Sequence, residues 1–185
     1  ILSVDKLPSG FLYNTDGWKS NPNPSYPNAM DITFQYYYPE ADEMMPQQKS
    51  YIREYITKAE NTLTSTLYAN SDRGYHYYFD VPSFVDFMLT SEISKEVDKY
   101  RYSTYLYKEK DTDGGKLFAG PVWDFNLGYG NVDYWPMGLD YTGWLFNNVE
   151  THNASIMFWW KRLMEDSYYR NLARTRWVKL RQTVL

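Results

Sequence analysis

The segment from Pro82 to Asn131 constrains the fold of this chain more than any other stretch. An apolar helical pattern runs from about Pro82 to Val97. Phe84, Val85, Met88, Ile93 and Val97 mark its buried face, with Ser91, Glu92, Lys95 and Glu96 on or near the other. Asp80 stands where an N-cap belongs. Two strand patterns follow, Tyr102–Lys108 and Lys116–Val122, divided by the turn-forming Asp111–Gly115. A helix that feeds straight into an antiparallel hairpin predicts an α+β domain. The hairpin ends in Trp123-Asp124-Phe125-Asn126 and a loop that carries Gly128 and Gly130.

The rest of the chain fits around that unit. Phe11-Leu12-Tyr13 follows a Pro8-Ser9-Gly10 turn and reads as a short strand, and Asn21–Pro27 is a loop. Ile32–Tyr38 is rich in β-branched and aromatic residues and reads as a strand that stops at Pro39. From Pro46 to about Tyr68, Ile52, Tyr55, Ile56, Ala59, Leu63 and Leu67 form one stripe at a 3.6-residue period. Residues 131–153 read as an irregular aromatic loop. Ala154–Met164 is helical, and Asp166-Ser167 caps a last helix in which Leu172, Trp177 and Leu180 recur. That pattern runs on to Leu185 without a Gly or Pro stop, and no leader pattern begins at Ile1. The expectation is one domain over residues 1–185, cut from something longer at both ends.

Composition narrows the chemistry. With no Cys there is no disulfide, thiolate zinc site or thiol nucleophile. A formal charge of −4 disfavours binding to nucleic acid phosphates. No apolar run approaches the length of a membrane span. His76 and His152 read as loop residues without ligand spacing, and neither a nucleophile elbow nor a Walker loop occurs. Asn153-Ala154-Ser155 is a glycosylation sequon or simply a helix cap. The chain holds 20 Tyr, 9 Phe and 7 Trp. Tyr36–Tyr38, Tyr77-Tyr78, Trp135 and Trp144 are therefore candidates for contact with glycan or protein, against the alternative of plain packing.

The carboxylates carry the sharper signal. Asp98 lies just past the second helix, and Asp124 lies at the far end of the hairpin. That order of elements can bring both groups to one cleft. There they could hold a divalent cation, or divide metal binding from proton acceptance between them. Paired carboxylates would also serve a glycosidase, and each Asp alone could be an ordinary cap or a solvated group.

Several further residues fall in a recognisable order. They are Glu92, Asp98-x-x-x-x-Ser103, Tyr105-x-Tyr107-Lys108 and Gly120-Pro121-x-Trp123-Asp124-Phe125. With the flanking Gly10-Phe11-Leu12, Tyr51-Ile52-x-x-Tyr55-Ile56 and Arg176-Trp177-x-x-Leu180-Arg181, this chain resembles the spore-coat protein H (CotH) kinase-like family. Its Ser103 form resembles Bacteroidetes-type envelope members. The resemblance implies a protein-kinase-like C-terminal lobe, mostly helical with β-hairpins. It implies transfer of a phosphoryl group from ATP to a Ser/Thr hydroxyl on a protein, with Mg2+. Asp98 would be catalytic, Asp124 the main magnesium ligand, Ser103 a metal and phosphate ligand, and Asn126 a nucleotide contact. An extracytoplasmic location, in the envelope or secreted, is implied as well. The runner-up is a non-catalytic envelope module that binds glycan or protein through its aromatics. Two positions depart from the pattern: Ser103 stands where Asn is typical, and Asn126 where a second Asp is common. No glycine-rich loop with a strand Lys precedes the motif, so most of the nucleotide-binding lobe is expected to lie outside this chain. Glu92 then reads as a structural helix residue.

Overall fold

Two short strands that periodicity did not reveal turn the predicted hairpin into one edge of a larger sheet. The computed structural model describes residues 2–4, 17–20, 32–132, 136–147 and 156–183. The strands are β1 (Leu2–Val4), β2 (Gly17–Lys19), β3 (Thr33–Tyr36), β4 (Thr104–Lys108) and β5 (Leu117–Ala119). They form one antiparallel sheet in the order β2-β3-β1-β4-β5. Leu2 stands opposite both Tyr36 of β3 and Leu106 of β4, so β1 joins the hairpin to the N-terminal strands. β1 and β2 have three residues each, too few to show a period of two. The strand expected at Phe11–Tyr13, the loop at 21–27, Trp135, His152 and the 153–155 sequon lie outside the described residues.

The described residues also include the helices α1 (Pro46–Leu63), α2 (Tyr75–Tyr78), α3 (Val81–Ser94), α4 (Phe158–Glu165) and α5 (Ser167–Thr183). Pro46 occupies the first turn of α1, and Gln48 Oε1 accepts the Met45 N–H at 2.8 Å. The stripe of α1 ends earlier than its period suggested. Thr64 and Ser65 turn their hydroxyls back onto carbonyls of the last helical turn, and Leu67 is left 55% exposed. α3 starts where Asp80 Oδ1 accepts the Ser83 N–H at 3.0 Å, as a cap should. It stops at Ser94 because Lys95 is left-handed, at φ +53°. His76 belongs to α2 rather than a loop; it stacks on Tyr75 and lies 3.8 Å from Asp166. Asp166 also accepts the Tyr168 N–H at 3.0 Å at the start of α5.

The two faces assigned to α3 need correcting. Ile93 is 38% exposed, whereas Ser91 and Glu92 are buried. α3 packs against β5 on one side and α5 on another, so more than one stripe is covered. Its polar residues are satisfied internally. Ser91 Oγ donates to the Phe87 carbonyl at 2.9 Å, and Glu92 accepts the Tyr100 hydroxyl at 2.8 Å.

An aromatic spine fills the space between sheet and helices. Phe79 stacks on Phe84 at 4.5 Å and on Trp159 at 5.1 Å. Trp160 meets Phe87 at 5.4 Å and Tyr100 at 5.0 Å. All six rings are almost wholly buried. Part of the unusual aromatic content is therefore core, and each ring pair adds about 0.5–1.5 kcal/mol beyond its burial.

One carboxyl is buried beside that spine. Glu60 of α1 accepts the Trp159 indole N–H at 3.0 Å, and its Oε2 has no hydrogen-bond partner among the described residues. Burial pushes its pKa up to about 7. In the unfolded chain the group ionises near 4.5. The folded state thus holds the proton more tightly, and stability falls as pH rises from 4.5 through 7. Glu60→Gln is expected to remove this dependence. Its stability advantage over the natural chain should grow by about 2–3 kcal/mol between pH 5 and pH 8. Urea denaturation of both proteins at the two pH values checks it; a constant difference would refute it.

Candidate functional site

The end of α3 and the end of the hairpin meet through two buried charges. Past Ser94 the chain winds through tight turns: Lys99 N–H reaches Glu96 O at 3.1 Å, and Tyr102 N–H reaches Asp98 O at 2.8 Å. Asp98 sits in this turn. Tyr100 (φ +71°) and Ser103 (φ +42°) are left-handed, a costly conformation for residues that carry a Cβ. The turn holds because its neighbours are fixed. The Tyr100 ring is fully buried, its N–H bonds Thr104 Oγ1 at 3.1 Å, and its hydroxyl reaches Glu92. On the other side, Gly120 N–H pairs with Tyr105 O at 2.9 Å and closes the hairpin. Asp124 follows, exposed and again left-handed at φ +58°.

Ser103 and Asp124 come together: Ser103 Oγ donates to Asp124 Oδ2 at 3.0 Å. The contact is organised from below by Lys99, which is wholly buried. Its ammonium donates to the carbonyls of Ser103 (3.2 Å), Trp123 (2.8 Å) and Asp124 (2.7 Å), one acceptor for each of its three protons. The Phe125 ring covers the same nitrogen at 4.3 Å. Burial pushes the Lys99 pKa down, against the pull of Glu96, Asp124 and Asp98. Glu96, also wholly buried, bonds the same two segments from the acidic side. Oε1 accepts the Asp98 N–H at 3.3 Å, and Oε2 accepts the Leu127 N–H at 2.8 Å. Burial raises its pKa, opposed by these bonds and by the Lys99 charge.

Asp98 lies next to Lys99 in the chain, with its side chain 30% exposed. Arg101 holds it: Nη2 donates to Oδ1 at 3.2 Å, and Nε donates to the Val97 carbonyl. Asn126 is exposed, and its carbonyl accepts the Asn131 side chain at 2.7 Å. Glu92 is structural. Besides Tyr100 it accepts the N–H groups of Leu145 and Phe146, and Lys95 stands 3.8 Å away.

Sequence reasoning missed Glu96 and Lys99. The available signal was a pair of opposite charges flanking Val97-Asp98 in a stretch otherwise committed to the core. Spacing alone could not say that the pair faces inward.

The oxygens on offer are the Asp124 carboxylate, the Ser103 hydroxyl and the Asn126 amide. No cluster of three or more His, Cys, Asp or Glu suited to a metal occurs among the described residues. Magnesium, however, commonly takes only one or two protein carboxylates and completes its shell with water and substrate phosphates. An exposed Asp beside a hydroxyl fits an ion of that kind. Ser103→Ala removes one oxygen and its bond to Asp124 at the surface. It is expected to cost under about 1 kcal/mol of stability while weakening magnesium-dependent nucleotide binding, read by urea denaturation and by calorimetry.

Two cavities, of about 680 and 640 Å3, lie elsewhere and contain none of Asp98, Ser103 or Asp124. Of the aromatic candidates, Tyr36 is core and Tyr37 packs edge-on against Tyr105 at 4.9 Å. Tyr38 (65%), Tyr77 (64%) and Trp144 (42%) remain exposed.

A mixed sheet-and-helix domain, with two acidic residues presented from a post-helix turn and a hairpin end, is the layout of a kinase-like lobe. The family model described as CotH kinase protein matches residues 4–185, so this chain belongs to the CotH kinase family. No curated protein and no solved structure matches it. No helix among the described residues is long and apolar enough to cross a membrane.

Proposed function

We propose that this chain carries the phosphotransfer residues of an atypical protein kinase that moves the γ-phosphoryl group of ATP to a Ser/Thr hydroxyl of a protein. The observation that carries the reading is the Ser103–Asp124 oxygen pair, fastened by Lys99 to the turn that presents Asp98. In the reaction the acceptor oxygen bonds to the γ-phosphorus as the bond to the ADP oxygen breaks. The acceptor proton passes to the Asp98 carboxylate, which Arg101 orients through Oδ1. Asp124 and Ser103 would hold Mg2+, and Asn126 would lie beside the nucleotide. Magnesium supplies positive charge at the phosphate oxygens when bound. Lys99 serves as a scaffold here, since all three of its protons already have acceptors.

Calorimetry on the full-length natural protein tests the nucleotide step. ATP is expected to bind with magnesium and to bind much more weakly in EDTA, and Asp124→Asn is expected to abolish the difference. Equal binding in all three cases would end the proposal. The likeness to envelope members supports an extracytoplasmic setting, which cell fractionation checks.

A further inference from the structure

The larger cavity is a groove that the phosphotransfer reading leaves unused. It runs between α3, the 141–147 segment, α4 and α5, with a volume of about 680 Å3. Leu89 and Ala173 are buried in its floor; Ile93, Trp144 and Trp177 form its walls. Ile93 and Trp144 keep 38% and 42% of their surface exposed, and Tyr141 at the mouth keeps 86%. Apolar, aromatic surface of this kind marks a binding site more often than a defect.

Charge says what the occupant is. The residues lining the groove include three cations, Lys95, Arg170 and Arg174, and one carboxylate, Glu92. Glu92 is neutralised in place by Lys95, the Tyr100 hydroxyl and two backbone N–H groups. Arg170 donates to the Met164 carbonyl. The exposed Arg174 guanidinium has no partner among the described residues. α5 as a whole carries Arg170, Arg174, Arg176, Lys179 and Arg181 and no acidic residue, within a chain of net charge −4. Among the described residues, Arg176 is the one of these in an ion pair, with Asp86 at 2.7 Å. A basic rim around an aromatic slot suits an acidic segment bearing a large apolar side chain. The apolar anchor would supply burial, and the acidic flanks would supply steering and register.

The groove is also anchored to the candidate site. Lys95 lines it, holds the Thr142 carbonyl at 3.3 Å and the Gly143 carbonyl, and stands three residues before Asp98.

We infer that this groove docks an acidic linear segment, carrying Leu, Phe or Trp, of the protein that this chain phosphorylates. Naming that partner as the phosphate acceptor rests on the proposed function; the binding itself does not require it.

The test uses a random-peptide display library panned on the protein without nucleotide. The expected winners are rich in Asp and Glu around a Leu, Phe or Trp. They should bind Arg174→Glu and, separately, Trp144→Ala at least about tenfold more weakly. Both residues are on the surface, so both variants should fold, which circular dichroism confirms. No enrichment, winners that are neutral or basic, or binding unaffected by either variant would each overturn the inference. So would loss of binding in Asp124→Asn, which would place the peptide in the phosphotransfer site. Two further arms cover other occupants. Phosphatidylserine vesicles bound through Arg174 with no acidic peptide selected would make this a lipid-facing surface. A dimer in gel filtration that Trp144→Ala dissociates would make it a self-interface. Either result would overturn peptide docking. Peptide docking combined with an absence of phosphotransfer would instead refute the proposed function and leave the groove standing.

Discussion

Asp124→Asn is expected to lower magnesium-dependent phosphoryl transfer by the full-length protein about a thousandfold or more, with Asp98→Asn costing about a hundredfold to ten-thousandfold. The two losses have different origins. At position 124 the amide keeps the size and the hydrogen bond from Ser103 but removes the negative charge that would hold the cation. At position 98 it removes the proton acceptor and leaves nucleotide binding intact. Neither variant should unfold the protein. Asp124 is exposed and Asp98 is partly so, and each makes surface contacts worth roughly 1 kcal/mol or less. Radiolabelled phosphate transfer and thermal melts on the same preparations separate the effects. If both variants keep full activity, Asp98 and Asp124 are not the working pair. If both lose activity only because they melt early, the pair is structural.

Lys99→Met is expected to damage stability and activity together. Removing the ammonium strands three carbonyls that it now satisfies, two of them at 2.7–2.8 Å, and leaves Glu96 without its buried counter-charge. Burial of the ammonium is itself unfavourable, and methionine removes that cost while restoring much of the volume. Breaking one side of a buried charged network nevertheless outweighs the relief, so the net loss should be about 2–4 kcal/mol. Activity should fall even at temperatures where the variant is folded, because the Asp98 turn and the Asp124 segment lose their common anchor. Asp124→Asn, by contrast, should lose activity alone. Urea denaturation and low-temperature turnover provide the comparison. A Lys99→Met protein as stable and as active as the natural one would show that the three carbonyl contacts do not hold the site.

α1, α3 and the last two helices were legible from periodicity and caps, because each is long enough to repeat its own pattern, and the β4–β5 pair was legible from the turn residues Asp111–Gly115 between its strands. α2 and strands β1 and β2 were not, since four or three residues are too few to repeat a period. Leu67 was assigned to the wrong environment because α1 ends before it, and Ile93 and Glu92 for a different, shared reason. A helical wheel knows one face, and the surroundings of a helix are set by everything that packs on it. At the candidate site, Asp98, Ser103 and Asp124 stood out in the sequence through their order and through the family they resemble.

Their arrangement could not be read in the same way. Ser103 and Asp124 are 21 residues apart, and Lys99 spans 24 and 25 residues to the carbonyls of Trp123 and Asp124. Contacts at that separation depend on where the hairpin folds back, which local propensity does not encode. Amino-acid order was sufficient for the longer elements and for the family. Three-dimensional packing alone decided that Lys99 and Glu96 point inward, that part of the aromatic surplus forms a buried spine, and that a basic aromatic groove opens beside α5. Burial and pairing are properties of the assembled chain, because a charge or a ring acquires its energy from neighbours that are distant in sequence.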